Sequence, residues 1–150
     1  MHLRQRDDPN VLAWRERLQA ELAEDAGVIS ALVLDELAYR LVLAWLRDDG
    51  DPDPMTTLRT SGPAVMREMG ARLNRLWKAV DDLSFEQAVT DGAVTRRAKR
   101  LMSDPGLAPR DAFHAAHAFG AACTVIASSD SDYDRVRGLR RLGPTEAAAG

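Results

Sequence analysis

An α/β domain with a mostly parallel sheet is the fold class this sequence predicts, and three observations carry that expectation. Short apolar runs of strand length, VISAL at 28–32 and CTVIA at 123–127, alternate with longer segments of helical periodicity. Clusters of turn-formers, DDGDPDP at 48–54 and SDPG at 103–106, punctuate the alternation. With 45% apolar residues and interspersed charges, 150 residues are enough for one domain with a real core. No internal repeat or linker divides the chain, so a single domain over 1–150 is expected, with TEAAAG as a frayed tail.

In order, PNVLAWRERLQAELAED reads as an amphipathic helix from Pro9 to about Asp25, with Leu12, Leu18 and Leu22 as its stripe and Gly27 beyond its end. VISAL follows as a short buried strand with a β-branched start. LVLDELAYRLVLAWL, residues 32–46, is too long and leucine-rich for a strand and reads as a buried helix. A second long helix is expected from Pro63 to Val80, with proline in its first turn. LSFEQAV suits either a short strand or a helix start. VTRRAKRLM is helical and stops at SDPG. The remainder reads as helix 110–122, strand 123–127, a loop with a short helical turn, and GLRRL as a last strand.

A net charge of −3 provides no whole-molecule attraction to nucleic acid, so such binding would need a local basic patch. The one cysteine, Cys123, rules out an intrachain disulfide and reads as a small core residue. No apolar stretch is long enough to span a membrane and no signal-peptide pattern opens the chain, so a cytoplasmic protein is expected.

The chemistry concentrates in carboxylates. Asp111 opens the alanine-rich helix, and Asp130, Asp132 and Asp134 follow the strand after it. In an open parallel sheet, functional groups gather where strands end and helices begin, which makes Asp111 and Asp130 plausible neighbours. Glu36 sits among Leu32, Val33, Leu34 and Leu37, an unusual setting for a carboxylate. Converging carboxylates suit Mg²⁺ or Mn²⁺, hard cations that prefer oxygen. Each acid also has a structural reading. Asp111 can complement its helix dipole, Asp130 and Asp132 can cap the next turn, and Glu36 can pair with Arg40 at i+4. His114 and His117 lack the further ligands that zinc needs and read as helix-face residues, with His114 close enough to Asp111 to tune it. Basic runs stand at Arg96–Arg97 with Lys99–Arg100, and at Arg135, Arg137, Arg140 and Arg141. The second set lies beside the acids, where Arg135 and Arg137 are candidates for holding a nucleic-acid backbone.

The stretch PRDAFHAAHAFGAACTVIASSDSDYDRVRGLRRLGP resembles the C-terminal part of PIN-domain ribonucleases, especially VapC-type toxins of toxin–antitoxin pairs. The shared pattern is an Asp opening an Ala-rich helix in a D-A-x-H-A-A context, then a strand, then S/T-x-D-x-D-F/Y-D. VISALVLDELAYRL similarly resembles the family's strand followed by a helix with an inward Glu. The resemblance implies a three-layer α/β/α fold and Mg²⁺- or Mn²⁺-dependent cleavage of RNA by metal-activated water. It assigns Glu36, Asp111 and Asp130 as catalytic, metal-holding acids, with Asp132 assisting the metal and Asp134 structural. It also implies a cognate antitoxin and a homodimer as partners. The family pattern begins with an apolar strand ending in Asp-Thr or Asp-Ser, whereas MHLRQRDDPNVLAW resembles the segment just after that step. A missing first strand and first acid are therefore expected, from a start assigned too far downstream or from a shortened gene. The alternatives are a PIN-like protein that engages an antitoxin or RNA without cleavage, or a helical regulator whose acids are only caps.

Overall fold

The computed structural model describes residues 9–24, 27–83 and 85–144. Along the chain it places α1 (Pro9–Glu24), β1 (Val28–Ser30), α2 (Ala31–Asp48), α3 (Pro54–Glu68) and α4 (Gly70–Asp81). These are followed by β2 (Glu86–Ala88), α5 (Gly92–Ser103), α6 (Pro109–Gly120), β3 (Val125–Ala127), a 3₁₀ turn at Ser131–Arg135 and β4 (Arg140–Leu142). Helices alternate with parallel strands, as the sequence predicts. Val28, Ile29 and Ser30 pair in parallel with Glu86, Gln87 and Ala88, and Val125, Ile126 and Ala127 with Arg140, Arg141 and Leu142. Among the described residues each strand has one strand neighbour, so the four make two separate parallel pairs. None of the described helices is long and apolar enough to cross a membrane.

The chain divides into two compact units, one of residues 1–30 with 86–150, the other of residues 31–85. The second unit is helical. Val42 and Leu46 of α2 close over Val65, Met69 and Leu73, with Trp45, Leu58 and Leu76 around them. At its edge Arg72 donates two hydrogen bonds to Asp49, at 2.8 and 3.0 Å, and lies 5.9 Å from the Trp45 ring centre.

The helix expected over 63–80 begins nine residues earlier and is broken twice. Pro54 takes the first turn, where its missing N–H is no loss, and Asp53 accepts a hydrogen bond from the Thr56 amide. Pro63 then lies inside α3. A proline there cannot donate to the carbonyl four residues back and its ring crowds it, so Ser61 leaves helical geometry at φ −127° and the helix kinks. The chain turns again at Met69, whose backbone still accepts from Leu73 and donates to Val65.

In the first unit α6 is the central element. Ala112, Ala115 and Ala116, fully buried at i, i+3 and i+4, let α5 approach closely through Val94 and Ala98. The same helix packs against β1, β2 and β3. Both helical ends are set locally. Asp91 caps α5 by accepting from the Val94 amide at 2.8 Å, and that bond holds its carboxyl below the usual aspartate range. Beyond α6, Ala122 adopts φ +58°, and the Cys123 amide reaches back to the Ala118 carbonyl at 2.8 Å, a Schellman-type ending. This turn uses residues 121–124. The following strand therefore starts at Val125 rather than at 123, and Cys123 sits half-buried in the turn instead of in the core. VISAL is likewise strand only as far as Ser30, because the helix-forming run begins at Ala31.

The strand β4 is tied to its surroundings by charge. Arg140 pairs with Glu21 of α1 at 2.5 Å. Arg141, whose side chain is 10% exposed, grips both carboxylate oxygens of Asp134 at 2.9 and 3.0 Å, which lowers the Asp134 pKa.

This packing has two measurable consequences. Ala115→Leu forces volume into a filled helix–helix contact and lowers unfolding free energy by about 1–3 kcal/mol in urea titration. The Asp134 contribution is present in full above the unfolded aspartate value near 3.8 and is lost as pH falls through the depressed folded value. The urea midpoints of the parent chain and Asp134→Asn, separate at pH 6, converge as the pH is lowered through that window.

Candidate acidic site

Asp111 lies in the first turn of α6, behind Pro109 at the helix start. The N-cap position is Ala108, which has no side chain able to cap, and Asp111 is the acid of the first turn. Its carboxylate is half-buried and instead accepts a hydrogen bond from the Tyr133 hydroxyl at 3.3 Å. Tyr133 is itself buried in the core beside Ala112 and Val136. A phenol rooted in the core thus ties the head of α6 to the 3₁₀ turn.

Asp130 is the residue that caps that turn. Its Oδ1 accepts from the Asp132 amide at 2.9 Å, while its own amide donates to the Ser128 hydroxyl at 3.0 Å. The structural reading of Asp130 as a cap is thereby observed. It does not exhaust the carboxylate, since one oxygen does the capping and the side chain is exposed. Asp132 is paired with Arg135 at 2.9 Å, both about half exposed. Arg135 is therefore held on a neighbouring acid, whereas Arg137 is exposed. Asp134 is held by Arg141 and serves the attachment of the turn to β4.

Glu36 belongs to the helical unit. Its side chain is 23% exposed and pairs with Arg40 one turn on, at 2.5 Å. The i+4 pairing that the sequence offered as an alternative is thus present. Asp111 and the Asp130 turn are brought together by Tyr133 within the first unit. Oxygen ligands of this kind are the right chemistry for a hard divalent cation. Among the described residues, however, no three His, Cys, Asp or Glu side chains gather into a group able to hold one.

Sequence reasoning passed over two residues. Tyr133 carried a local signal, an aromatic three positions after Asp130 within SDSDYD, at the spacing that turns a side chain inward from a helical turn. Thr90 carried none. Its hydroxyl lies 2.7 Å from Nε2 of His117, which is buried at 3% exposure rather than displayed on the helix surface. The partners are 27 positions apart and meet only because α6 packs beside β2.

No curated protein and no solved structure matches the chain. The family model of the PIN domain matches residues 1–139, which include every acid described above. PIN domains are generally nucleases that act on RNA, typically with divalent metal ions. Their three-layer α/β/α fold agrees with helices alternating with parallel strands. With a family match over nearly the whole length and an aspartate-headed alanine helix bonded to an acidic turn, the chain belongs to the PIN-domain family.

Proposed function

We propose that this PIN domain is a metal-dependent endoribonuclease of the VapC type, the cytoplasmic toxin of a toxin–antitoxin pair, acting as a homodimer and restrained by its antitoxin. The observation that carries the reading is the Tyr133 bond to Asp111. A half-buried carboxylate in the first turn of α6 is bonded to a core phenol of the turn that Asp130 begins. In this reading Asp111 and Asp130 hold Mg²⁺ or Mn²⁺, Asp132 assists and Glu36 contributes from α2. When bound, the ion supplies an activated water and offsets charge on the phosphodiester. The chain's own part is to hold these oxygens pre-aimed, and to keep Asp134 out of the site by engaging it with Arg141.

The proposal extends to the sheet. Among the described residues each strand has one strand neighbour, and both pairs pack against α6. An added strand bringing a further acid would join them and give their outer backbone groups partners. A second reading, binding of RNA or antitoxin without cleavage, draws on the arginines that occupy Glu36 and Asp132 and on the lack of a three-acid group among the described residues.

Cleavage of a panel of RNAs with and without Mg²⁺ or Mn²⁺ separates the readings. Asp111→Asn and Asp130→Asn each lower the metal-dependent rate roughly 10²- to 10³-fold, the scale seen when one electrostatic stabiliser of a reacting centre is removed. Asp134→Asn, assayed at pH 7 below its unfolding temperature, cuts at close to the parent rate. Equal cleavage by the parent chain and Asp111→Asn removes the site assignment. Co-purification with an antitoxin and no cleavage favours the second reading. A chain lengthened by a strand bearing the further acid melts at a higher temperature and cuts faster. An unchanged melting temperature argues against the added strand.

A further inference from the structure

The helix α5 carries Arg96, Arg97, Lys99 and Arg100 and contains no acidic residue. Its buried side is Val94 and Ala98, set against α6, so the four cations project from the remaining surface. Within the same unit Arg135, Arg140 and Arg141 each pair with a carboxylate. Lys99 and Arg100, by contrast, make no ion pair among the described residues, and Arg96 makes no close one, although its charge helps to lower the Asp91 pKa. A basic arc of this kind, four cations on one acid-free helix, is a local attraction for polyanions on a protein of net charge −3.

The arc borders a groove of about 610 Å³ bounded by β2, α5 and the C-terminal half of α6. Arg96, Arg97 and Arg100 line it, against the two carboxylates Glu86 and Asp91. Phe119 stands beside them, with the Arg97 guanidinium 5.0 Å from its ring centre. His117 also lines the groove, and its Nδ1 is buried without a hydrogen-bond partner among the described residues. Cations at helical spacing, a flat ring under a guanidinium and an unsatisfied imidazole nitrogen suit one ligand class in particular. They match the phosphates, base faces and polar edges of a single-stranded nucleic acid. An acidic peptide would use the charges but leave the ring and the imidazole without a role.

We propose that the basic face of α5 and this groove hold the RNA strand at a distance from the bond that is cut. The inference rests on the ribonuclease reading for its choice of RNA. Phosphates lie on Arg96 and Arg100, a base stacks over the Arg97–Phe119 pair, and the base or ribose meets His117. Asp111 and Phe119 stand at opposite ends of α6, about 12 Å apart at 1.5 Å per residue. The groove therefore takes nucleotides that flank the scissile one, and Arg135 and Arg137 are not the principal backbone contacts.

The test is fluorescence anisotropy with a labelled single-stranded RNA of about 20 nucleotides, longer than the roughly 4–16 that a single-strand site takes. It uses the full chain in the Asp111→Asn background without added metal, across a salt series. R96Q with R100Q weakens binding about tenfold or more and lowers the slope of log Kd against log salt by about 1.4, about 0.7 for each phosphate that is no longer neutralised. Phe119→Leu keeps apolar volume at the core edge, removes the stacking face and weakens binding roughly fivefold or more. Urea midpoints close to the parent's establish that the variants are folded. An unchanged Kd and salt slope in the double arginine variant overturns the proposal, as does the absence of RNA binding by the parent. Arginine-dependent binding of a poly-glutamate peptide without RNA binding overturns it in favour of an acidic partner. If the parent cuts RNA while binding ignores α5, this inference fails and the ribonuclease reading stands. If binding depends on α5 but no RNA is cut, the inference stands and the ribonuclease reading fails.

Discussion

The close contact between α6 and α5 is the constraint on which the first unit depends. Three alanines on one stripe of α6 leave room for α5 and nothing larger, while other faces of the same helix meet three strands. A helix surrounded in this way cannot slide or roll without opening its contacts, because packed interiors tolerate little volume change. That fixity gives the ends of α6 their value. One end presents Asp111 and the other presents His117 and Phe119, all referenced to a single rigid rod.

The acids of this chain divide by what their oxygens are already doing. Asp91 and Asp130 accept backbone amides, Asp134 and Asp132 accept guanidinium groups, and Asp111 accepts a phenol. A phenol and a backbone amide are both neutral donors, whereas a guanidinium compensates the carboxylate's charge. Of the acids at the site, Asp111 and Asp130 are therefore the ones able to respond to a cation, while Asp134, held through both oxygens by Arg141, is the least so. Sequence position alone gives no such ranking, since all three aspartates of SDSDYD have the same chemistry on paper.

Much of this was legible in the residues, and the reasons differ by region. The aspartate-headed alanine helix, the short strand after it and the helical turn of SDSDYD were readable because each is specified locally, by periodicity and turn chemistry. The segment at 54–62 was not. Its three threonines and a serine are weak helix formers, and the helix there rests on the Asp53 cap and on Leu58 packing against the α2 core. Cys123 looked like a core residue because it opens an apolar run, but the Schellman-type turn takes that position first. The Thr90–His117 pair and the pairing of Glu36 illustrate the same limit from two sides. The first is created by tertiary contact alone, and the second was foreseeable from i+4 spacing but competed with a reading based on burial. The division of the chain into two units left no mark in composition, because no linker separates them.

That division has a consequence for how the chain assembles. The first unit is discontinuous, and its strand β1 pairs with a partner 58 positions on, Val28 with Glu86, whereas β3 and β4 pair across only 15, Val125 with Arg140. Closing the longer interval costs about 1 kcal/mol more chain entropy than the shorter, from the logarithm of the ratio of loop lengths. The helices of residues 31–85 have a core of their own and can condense before that closure is made. By folding first they shorten the effective tether, so the inserted helical unit helps set when the first strand pair can form.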